Sequence, residues 1–314
     1  MEIFEVNSGE YQKAVGTGMI FDSAVFNDLN SNKVENVRYF IFKDSKNRFG
    51  LCMGGQKNSY RAPFSAPFAM FEPIRANWNI EQLEAAVDEL LEFARREQWK
   101  EIGLTLPPNF YHPNLITVTQ NILLRKGFCL KHIDLNYAFD LAKAYAGDYK
   151  EKLPRNGRKN LNIALKNELL FKYCERDEQI KMAYEVIRIN RESKGYPLRM
   201  TYEQVLDTIK IVPHDFFLVS LRGKNIAAAQ VFYVTDDIVQ VIYWGDVPGF
   251  PEQKSINFLA YQLIQYYGKK GLKFLDIGPS TENGVPNYGL CDFKNSIGCE
   301  ISTKMQFVKT MELM

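Results

Sequence analysis

The sequence contains few of the residues from which metal centres and disulfide frameworks are built. It has five cysteines and three histidines in 314 residues. The cysteines are odd in number and scattered, with no Cys-x-x-Cys pair, and the histidines have no ligand spacing between them. This pattern is typical of reduced thiols in a cytoplasmic protein, and it predicts neither a bound metal ion nor a disulfide scaffold.

Long hydrophobic runs and a strong net charge are also missing. No stretch approaches the roughly 18 consecutive apolar residues that read as a membrane span. The N-terminal residues 1–6 are acidic and mixed, unlike the basic and then apolar start of a signal peptide. The formal net charge is +2, so only a local basic patch could attract nucleic acid. We therefore expect a cytoplasmic protein without a membrane span, and its oligomeric state stays open.

What is present is an α/β pattern with ample core. Hydrophobic residues make up 46% of the chain and charged residues 24%, as in ordinary globular proteins. Period-two and short apolar runs predict strands at 38–42, 49–53, 101–106, 128–140, 216–221, 226–234, 238–244 and 272–279. Helical spacing predicts helices at 79–99, 114–125, 152–167, 177–192, 202–209 and 255–268.

The two halves of the chain repeat one order of elements. Each half has a hairpin, a third strand, a helix, a strand ending at proline, an irregular or helical segment, a glycine and a long strand. The segment 97–107 aligns with 270–279 in this order. The pattern predicts a tandem duplication of one α/β unit, with units at 1–145 and 146–314.

The segment 272–298 contains the side chains that are the strongest candidates for catalysis. A mostly apolar strand stops at Gly-Pro, a polar loop follows, and a Phe-Lys step leads through Gly298 into a last strand. The carboxylate of Asp276, the phenol of Tyr288 and the ammonium of Lys294 all lie here. Loops at strand ends are frequent positions for functional residues. The first half has no counterpart of Asp276 or of the Phe-Lys step, so we expect any chemistry in the second unit and a cleft wall in the first.

A basic helix is predicted at the start of the second half. Arg155, Arg158, Lys159, Asn162 and Lys166 recur at spacings that place them on one helical face. Such a face suits phosphates. The alternative is an ordinary solvated face of an amphipathic helix.

These segments carry a family resemblance. The matching pieces are Leu153–Ala164, the Pro-Phe-Ser-Ala-Pro-Phe segment at 63–68, and 274–278 with 290–298. The second half resembles the acyltransferase unit of the GNAT superfamily. The whole chain resembles the FemABX-like peptidyltransferases, which are relatives of bacterial cell-envelope enzymes, and the BioF2-like acetyltransferases. The resemblance implies two tandem GNAT-like units, each a mixed, mostly antiparallel sheet flanked by helices.

The resemblance also implies a reaction and its residues. It implies transfer of an acyl or aminoacyl group from acyl-CoA or aminoacyl-tRNA to an amine acceptor, a small molecule or a cell-envelope precursor, with no tightly bound cofactor. Lys294 matches the active-centre lysine of the family's Phe-Lys step and would stabilise developing negative charge; the alternative is a solvated surface lysine. Asp276 would be a general base or the cap of a turn, and Tyr288 would protonate the leaving group.

The resemblance further implies which strands hold the donor. Two neighbouring strands of a GNAT unit splay apart, and the expected pair here is 226–234 with 238–244. Tyr243 and Trp244 would line the acceptor cleft, unless they are ordinary core residues. Arg155, Arg158 and Lys159 would bind phosphates of coenzyme A, of a nucleotide-linked acceptor or of a tRNA acceptor end.

Two features depart from the family pattern. The segment before the 255–268 helix, 249–255, lacks the glycine pair with which many GNAT enzymes hold the pyrophosphate of coenzyme A. A long charged helical arm, present in some tRNA-dependent members, is also missing. The resemblance therefore implies an acyltransferase, and these two departures weaken both donors and select neither. A non-catalytic module of the same fold that grips a phosphate-bearing or peptide ligand is the alternative, and a nucleic-acid role ranks third.

Overall fold

A computed structural model describes residues 1–16 and 18–312 of the protein. The strands are β1 Glu2–Val6, β2 Asn36–Lys43, β3 Asn47–Gln56, β4 Ser59–Ala62, β5 Glu72–Pro73, β6 Glu101–Thr105, β7 Cys129–Asp140, β8 Leu169–Tyr173, β9 His214–Leu221, β10 Lys224–Tyr233, β11 Ile238–Asp246, β12 Phe274–Pro279, β13 Thr281–Glu282, β14 Val285–Pro286 and β15 Glu300–Thr310. The α-helices are α1 Ser8–Val15, α2 Ala24–Leu29, α3 Ile80–Arg96, α4 Pro113–Arg125, α5 Leu141–Ala144, α6 Tyr149–Lys152, α7 Arg155–Lys166, α8 Asp177–Lys194, α9 Tyr202–Ile209, α10 Ser255–Lys269 and α11 Tyr288–Ser296.

The chain divides into two compact units. The first contains Met1–Leu135 together with the segment that starts at Thr303, and the second contains Asn136–Ser302. These bounds differ from the predicted 1–145 and 146–314. The reason lies in the last strand, whose residues 306–310 pair with β6 and so belong to the sheet of the first unit. Order of elements along a chain does not reveal such a long-range pairing.

The first unit has a mixed sheet in the order β1-β2-β3-β4-β6-β15, with β5 added beside β3. The β4–β6 pair is parallel and its other pairs are antiparallel. Helix α3 begins at a capping box, in which Asn79 and Gln82 each bond the backbone of the other. The apolar face of α3 packs on β1 and β3 and against α4.

The second unit has a mixed sheet in the order β7-β12-β11-β10-β9-β8, in which only the β11–β12 pair of the described strands is parallel. Phe216 of β9 packs in the cluster below α8, whereas Phe217 contacts Tyr267 of α10 edge to face. Successive residues of a strand point to opposite faces of its sheet. Helices α8 and α10 therefore cover opposite faces of this sheet.

Most predicted elements are confirmed within a few residues, and two segments hold more regular structure than expected. The unassigned N-terminal lead contains β1, α1 and α2. Part of the segment predicted as a polar loop forms helix α11, because the side chain of Asn287 accepts a hydrogen bond from the N–H of Leu290 and caps its start.

The described residues contain neither a candidate membrane helix nor a candidate metal cluster. No helix in residues 1–16 or 18–312 is both long enough and apolar enough to cross a membrane. Within the same residues, no group of three or more histidine, cysteine, aspartate or glutamate side chains is arranged to hold a metal ion.

Candidate functional site

The site begins at the end of β12, where Asp276 is fully buried. The next residues turn sharply, because Gly278 has φ = +72°, a backbone conformation that favours glycine. The N–H of Gly278 donates a 2.8 Å hydrogen bond to Oδ1 of Asp276. Asp276 therefore caps the turn that follows its strand, one of the two alternatives that the sequence left open.

Two amide side chains from neighbouring strands orient the Asp276 carboxylate. Nδ2 of Asn136 donates to Oδ1 at 2.8 Å, and Nε2 of Gln240 donates to Oδ2 at 2.8 Å. Both amides are buried, and within the described residues neither amide oxygen has a hydrogen-bond partner. Each amide is thus fixed by its donor end, which leaves two hydrogen-bond acceptors in the interior beside a carboxylate.

Lys294, on α11, binds the backbone carbonyl groups of the same turn. Its Nζ donates to the carbonyl oxygens of Ile277, Gly278 and Pro279 at 2.9, 2.8 and 3.1 Å. Only 2% of the residue is exposed, which rules out the alternative of a solvated surface lysine. An ammonium group has three N–H donors, so these carbonyls take its full donor capacity.

Burial lowers the pKa of Lys294 to about 8, with partial compensation from Cys299, Asp276 and Cys291. The ammonium form therefore still predominates at neutral pH. Nζ also lies 5.2 Å from the ring centroid of Tyr137, within cation–π range. The end of β12 consequently carries a buried positive charge whose position is fixed by the turn.

The strands diverge at this point, but not the pair that was expected. Strands 226–234 and 238–244 stay paired on both sides of one bulge after Gln230, so the predicted splay between them is wrong. The parallel pair β11–β12 is the one that opens. The paired residues run from Ile238 with Phe274 to Gln240 with Asp276. Within the described chain the two strands do not pair beyond this point, although β11 continues to Asp246. A strand that loses its neighbour presents backbone groups to a ligand.

The other predicted site residues of this region are Tyr288, Tyr243 and Trp244. Tyr288 is the first residue of α11 and is 76% exposed. Tyr243 and Trp244 lie half-buried on the part of β11 beyond Gln240. Trp244 contacts Phe293 edge to face, with ring centroids 6.3 Å apart.

The basic face predicted on α7 is present and unpaired. Arg155, Arg158, Lys159 and Lys166 are exposed, and within the described residues they form no ion pair. With Asn156, Asn162 and Ile163 they line a surface cavity of about 520 Å³. Gly157 lets this helix approach α11 closely, since a methyl group there would lie 1.7 Å from the carbonyl oxygen of Ser296.

The start of α10 does not offer the usual anion site for a pyrophosphate. Lys254 stands at its N-cap with φ = +52°, and no side chain caps the helix. The carboxylate of Asp246 lies 3.4 Å from Oγ of Ser255, the first helical residue. A negative charge at this end opposes the binding of a second anion.

Asn136 and Gln240 were missed by sequence reasoning, although a signal was available. Each is a single amide inside an apolar stretch, at 135–139 and 238–242. An isolated polar residue in a buried strand needs a partner in the interior. The partner itself, Asp276, is brought near only by the pairing of β7, β12 and β11.

Solved structures with the same fold span the whole chain. FemX is 14% identical with a TM-score of 0.72, and the match covers 99% of this chain and 98% of FemX. L-PGS from Bacillus licheniformis is 11% identical with a TM-score of 0.58, covering 97% and 91%. A tandem GNAT protein from the clavulanic acid biosynthesis pathway is 11% identical with a TM-score of 0.54, covering 98% of both chains.

No protein-family model and no curated protein sequence matches this chain. At such low identities the structural matches establish the fold and leave the activity to the residues of the site. The protein therefore has the FemABX-like tandem GNAT fold that its sequence predicted.

Proposed function

We propose that the protein is an N-acyltransferase that moves an acyl or aminoacyl group from an activated carrier to an amine acceptor by direct attack. The observation that carries this proposal is the opening of β11 from β12 directly after the Gln240–Asp276 pair, beside the buried ammonium of Lys294. The opening supplies unpaired backbone donors, and the lysine supplies positive charge. The same tandem GNAT fold in FemX and L-PGS supports the reaction class.

In the proposed reaction the neutral amine attacks the carbonyl carbon of the acyl group. A C–N bond forms, the bond from carbonyl carbon to carrier sulfur or oxygen breaks, and the amine proton leaves with the carrier. Backbone N–H groups of the opened part of β11 would donate to the carbonyl oxygen as its negative charge grows. Tyr288 stays the candidate proton donor to the leaving group, because its side chain is exposed.

The roles proposed for Lys294 and Asp276 follow from their contacts. Lys294 gives its N–H donors to three carbonyls, so we assign it a positioning role together with the electrostatic effect of its charge. Asp276 is fully buried and accepts hydrogen bonds from Asn136, Gln240 and the N–H of Gly278. A general base must reach the proton that it removes, and this carboxylate instead fixes the strand end.

We propose that α7 binds the phosphates of the carrier. The basic face of this helix is exposed and unpaired, whereas the start of α10 carries Asp246 in place of a pyrophosphate loop. Both acyl-CoA and aminoacyl-tRNA bear phosphates, so α7 suits either. The acceptor is proposed to be an amine-bearing small molecule or cell-envelope precursor, with Tyr243 and Trp244 beside it.

The test is an amide-formation assay on the full chain with two carriers, acetyl-CoA and a pool of aminoacyl-tRNAs, and a panel of amine acceptors analysed by mass spectrometry. With the productive carrier, Lys294→Met should lower turnover by roughly 10²-fold or more while carrier affinity is retained. The control, Lys269→Met, removes an exposed lysine at the end of α10. Undiminished turnover in Lys294→Met would remove this residue from the mechanism.

The second candidate is a non-catalytic GNAT-fold module that binds a phosphate-bearing or peptide ligand. The unpaired basic face of α7 favours it, because that face requires only a ligand and no reaction. This reading predicts that Arg158→Gln and Lys159→Gln weaken ligand binding and reduce its salt dependence. It also predicts no amide product with either carrier, which the assay above detects.

A further inference from the structure

A half-buried arginine near the end of α8 has no counter-ion. The guanidinium of Arg191 lies 5.0 Å from the ring centroid of Tyr243 and 5.9 Å from that of Tyr196. Its Nε is buried without a hydrogen-bond partner, and in the described part of the chain it forms no ion pair. The neighbouring cations on α8 differ. Arg188 pairs with Glu185 and Glu192 at 2.8 and 2.7 Å, and Lys194 lies 3.7 Å from Asp246.

An unpaired cation in this position is costly in the free protein. Burial lowers the pKa of Arg191, the two tyrosines oppose this shift, and the positive charge of Arg199 lowers the pKa further. A buried charge is retained at lower cost when a counter-charge and hydrogen bonds meet it. Two tyrosine rings and the positive charge of Arg199 act on this guanidinium, and within the described residues no acidic side chain forms an ion pair with it. An anion from outside the chain would supply the counter-charge and the hydrogen bonds that Arg191 lacks.

Two hydrogen bonds tie the loop that carries Tyr196 and Arg199 to neighbouring elements. The backbone N–H of Arg199 donates to Oη of Tyr243 at 3.3 Å, which ties the loop 195–201 to β11. Nδ2 of Asn287, the N-cap of α11, donates to Oη of Tyr196 at 3.4 Å. The side chain of Arg199 itself is exposed. A ligand can thus reach the guanidinium of Arg199, whose positive charge acts on that of Arg191.

We propose that Arg191 and Arg199, with the rings of Tyr196 and Tyr243, form a binding site for an oxyanion of the substrate, either a carboxylate or a phosphate. This inference rests on the proposed function, because Tyr243 lies on the part of β11 that has opened from β12. A guanidinium offers two parallel N–H donors, which match two oxygens of either group. An anion held here fixes one end of the acceptor while its amine reaches the diverging strands.

The experiment measures anion binding without turnover. The full chain is titrated with sodium malonate, a dicarboxylate, and separately with sodium phosphate, each against sodium chloride at matched ionic strength. Binding is followed by the midpoint of thermal unfolding, since a ligand that binds only the folded state raises this midpoint. At least one of the two anions should stabilise the wild type beyond chloride. The anion that responds gives the ligand chemistry, carboxylate or phosphate, and the variants decide whether it binds at these arginines or on the basic face of α7.

Substitutions of the two arginines show whether the stabilising anion binds at this site. Arg191→Gln and Arg199→Gln should each weaken the apparent affinity for the responding anion by about tenfold or more, since a charge-assisted hydrogen bond is lost. Arg188→Gln is the matched control on the same helix, where the arginine already has acidic partners, and it should bind like the wild type. Because Arg199 is exposed, Arg199→Gln tests the proposal even if Arg191→Gln fails to fold.

The proposal is overturned if neither anion stabilises the wild type beyond chloride, or if Arg199→Gln and any folded Arg191→Gln bind the anion as the wild type does. Loss of binding in Arg188→Gln to the same extent would also overturn it, since it would indicate a general charge effect. Lys294→Met should keep the anion response. This variant separates the two proposals, because the catalytic proposal is tested by turnover and the anion site is tested by binding.

Discussion

Asp276 and Lys294 hold one turn through its two kinds of backbone group. The carboxylate accepts from the N–H of Gly278, while the ammonium donates to the carbonyls of Ile277, Gly278 and Pro279. One residue closes a strand and the other lies on the helix that follows it. The two charges thus fix the strand end at which β11 and β12 part, and their removal should show in stability as well as in turnover.

Lys294→Met should destabilise the protein in a pH-dependent way. The folded-state pKa of Lys294 is about 8, below the ordinary value of 10.5. Between these values the unfolded chain binds the proton and the folded chain does not, so the wild type gains stability as pH rises. The free-energy cost of the substitution should therefore grow by about 1.4 kcal/mol per pH unit from pH 8 to 10.5.

The measurement is urea unfolding of both proteins at several pH values, with Lys269→Met as the exposed control. The difference between Lys294→Met and the wild type should stay constant below pH 8. A difference that does not change up to pH 10.5 would contradict the lowered pKa.

Asp276→Asn should weaken the fold, because one carboxylate oxygen becomes an NH₂ group that faces another donor. Asn136 and Gln240 both present their NH₂ groups to this side chain. A buried donor left without an acceptor costs about 1–3 kcal/mol. Denaturant unfolding measures the loss. Asp292→Asn, an exposed position on α11, serves as the control and should leave stability unchanged. Equal stability of the two variants would mean that the hydrogen bonds from Asn136 and Gln240 to Asp276 do not stabilise the fold.

Gly157→Ala should move α7 away from α11. The added methyl would lie 1.7 Å from a backbone carbonyl oxygen, that of Ser296, which cannot yield as a side chain end can. We expect a loss of about 2 kcal/mol or more in unfolding free energy. Gly289→Ala is the matched helical control, since its nearest neighbour lies at 3.7 Å, and it should stabilise by about 0.5–1 kcal/mol. Similar losses for both would mean that close packing does not require Gly157.

Glu72→Gln should stabilise the protein at neutral pH. Burial raises the pKa of Glu72 from 4.5 to about 7, although the N–H of Met19 opposes the shift. Between these values the folded chain holds a proton that the unfolded chain has lost, so the wild type loses stability as pH rises. The advantage of the variant should grow by about 1.4 kcal/mol per pH unit from pH 4.5 to 7 and then level off.

Thermal or urea unfolding at pH 5 and pH 8 checks this, with Glu101→Gln as an exposed control. A variant that is no more stable than the wild type at pH 8 would refute the raised pKa of Glu72.

Local sequence patterns predicted a large part of the fold. The hairpin β2–β3, the capped helix α3 and the amphipathic helix α7 each follow from periodicity and end signals within a few residues. The order of elements and the motifs also led to the tandem GNAT fold. These features are readable because each depends on residues close together in the chain.

The site was only partly readable. Asp276 and Lys294 were identified from a strand end and a Phe-Lys step, and the structure brings them to one turn. The splayed strands were misassigned, because whether a strand keeps its neighbour depends on the parallel pairing of β11 and β12. Arg191 gave no signal, since an unpaired arginine and a paired one look alike in a charged helix.

The sequence by itself determined the positions of most strands and helices, the repeated order of elements in the two halves and the basic face of α7. Each of these follows from spacing along the chain. Only the tertiary structure decided that Lys294 is buried, that Asn136 and Gln240 meet at Asp276, and that Arg191 lacks a counter-ion. Burial, hydrogen-bond partners and charge pairing depend on residues far apart in sequence, so they exist only after the strands have paired and the helices have packed on them.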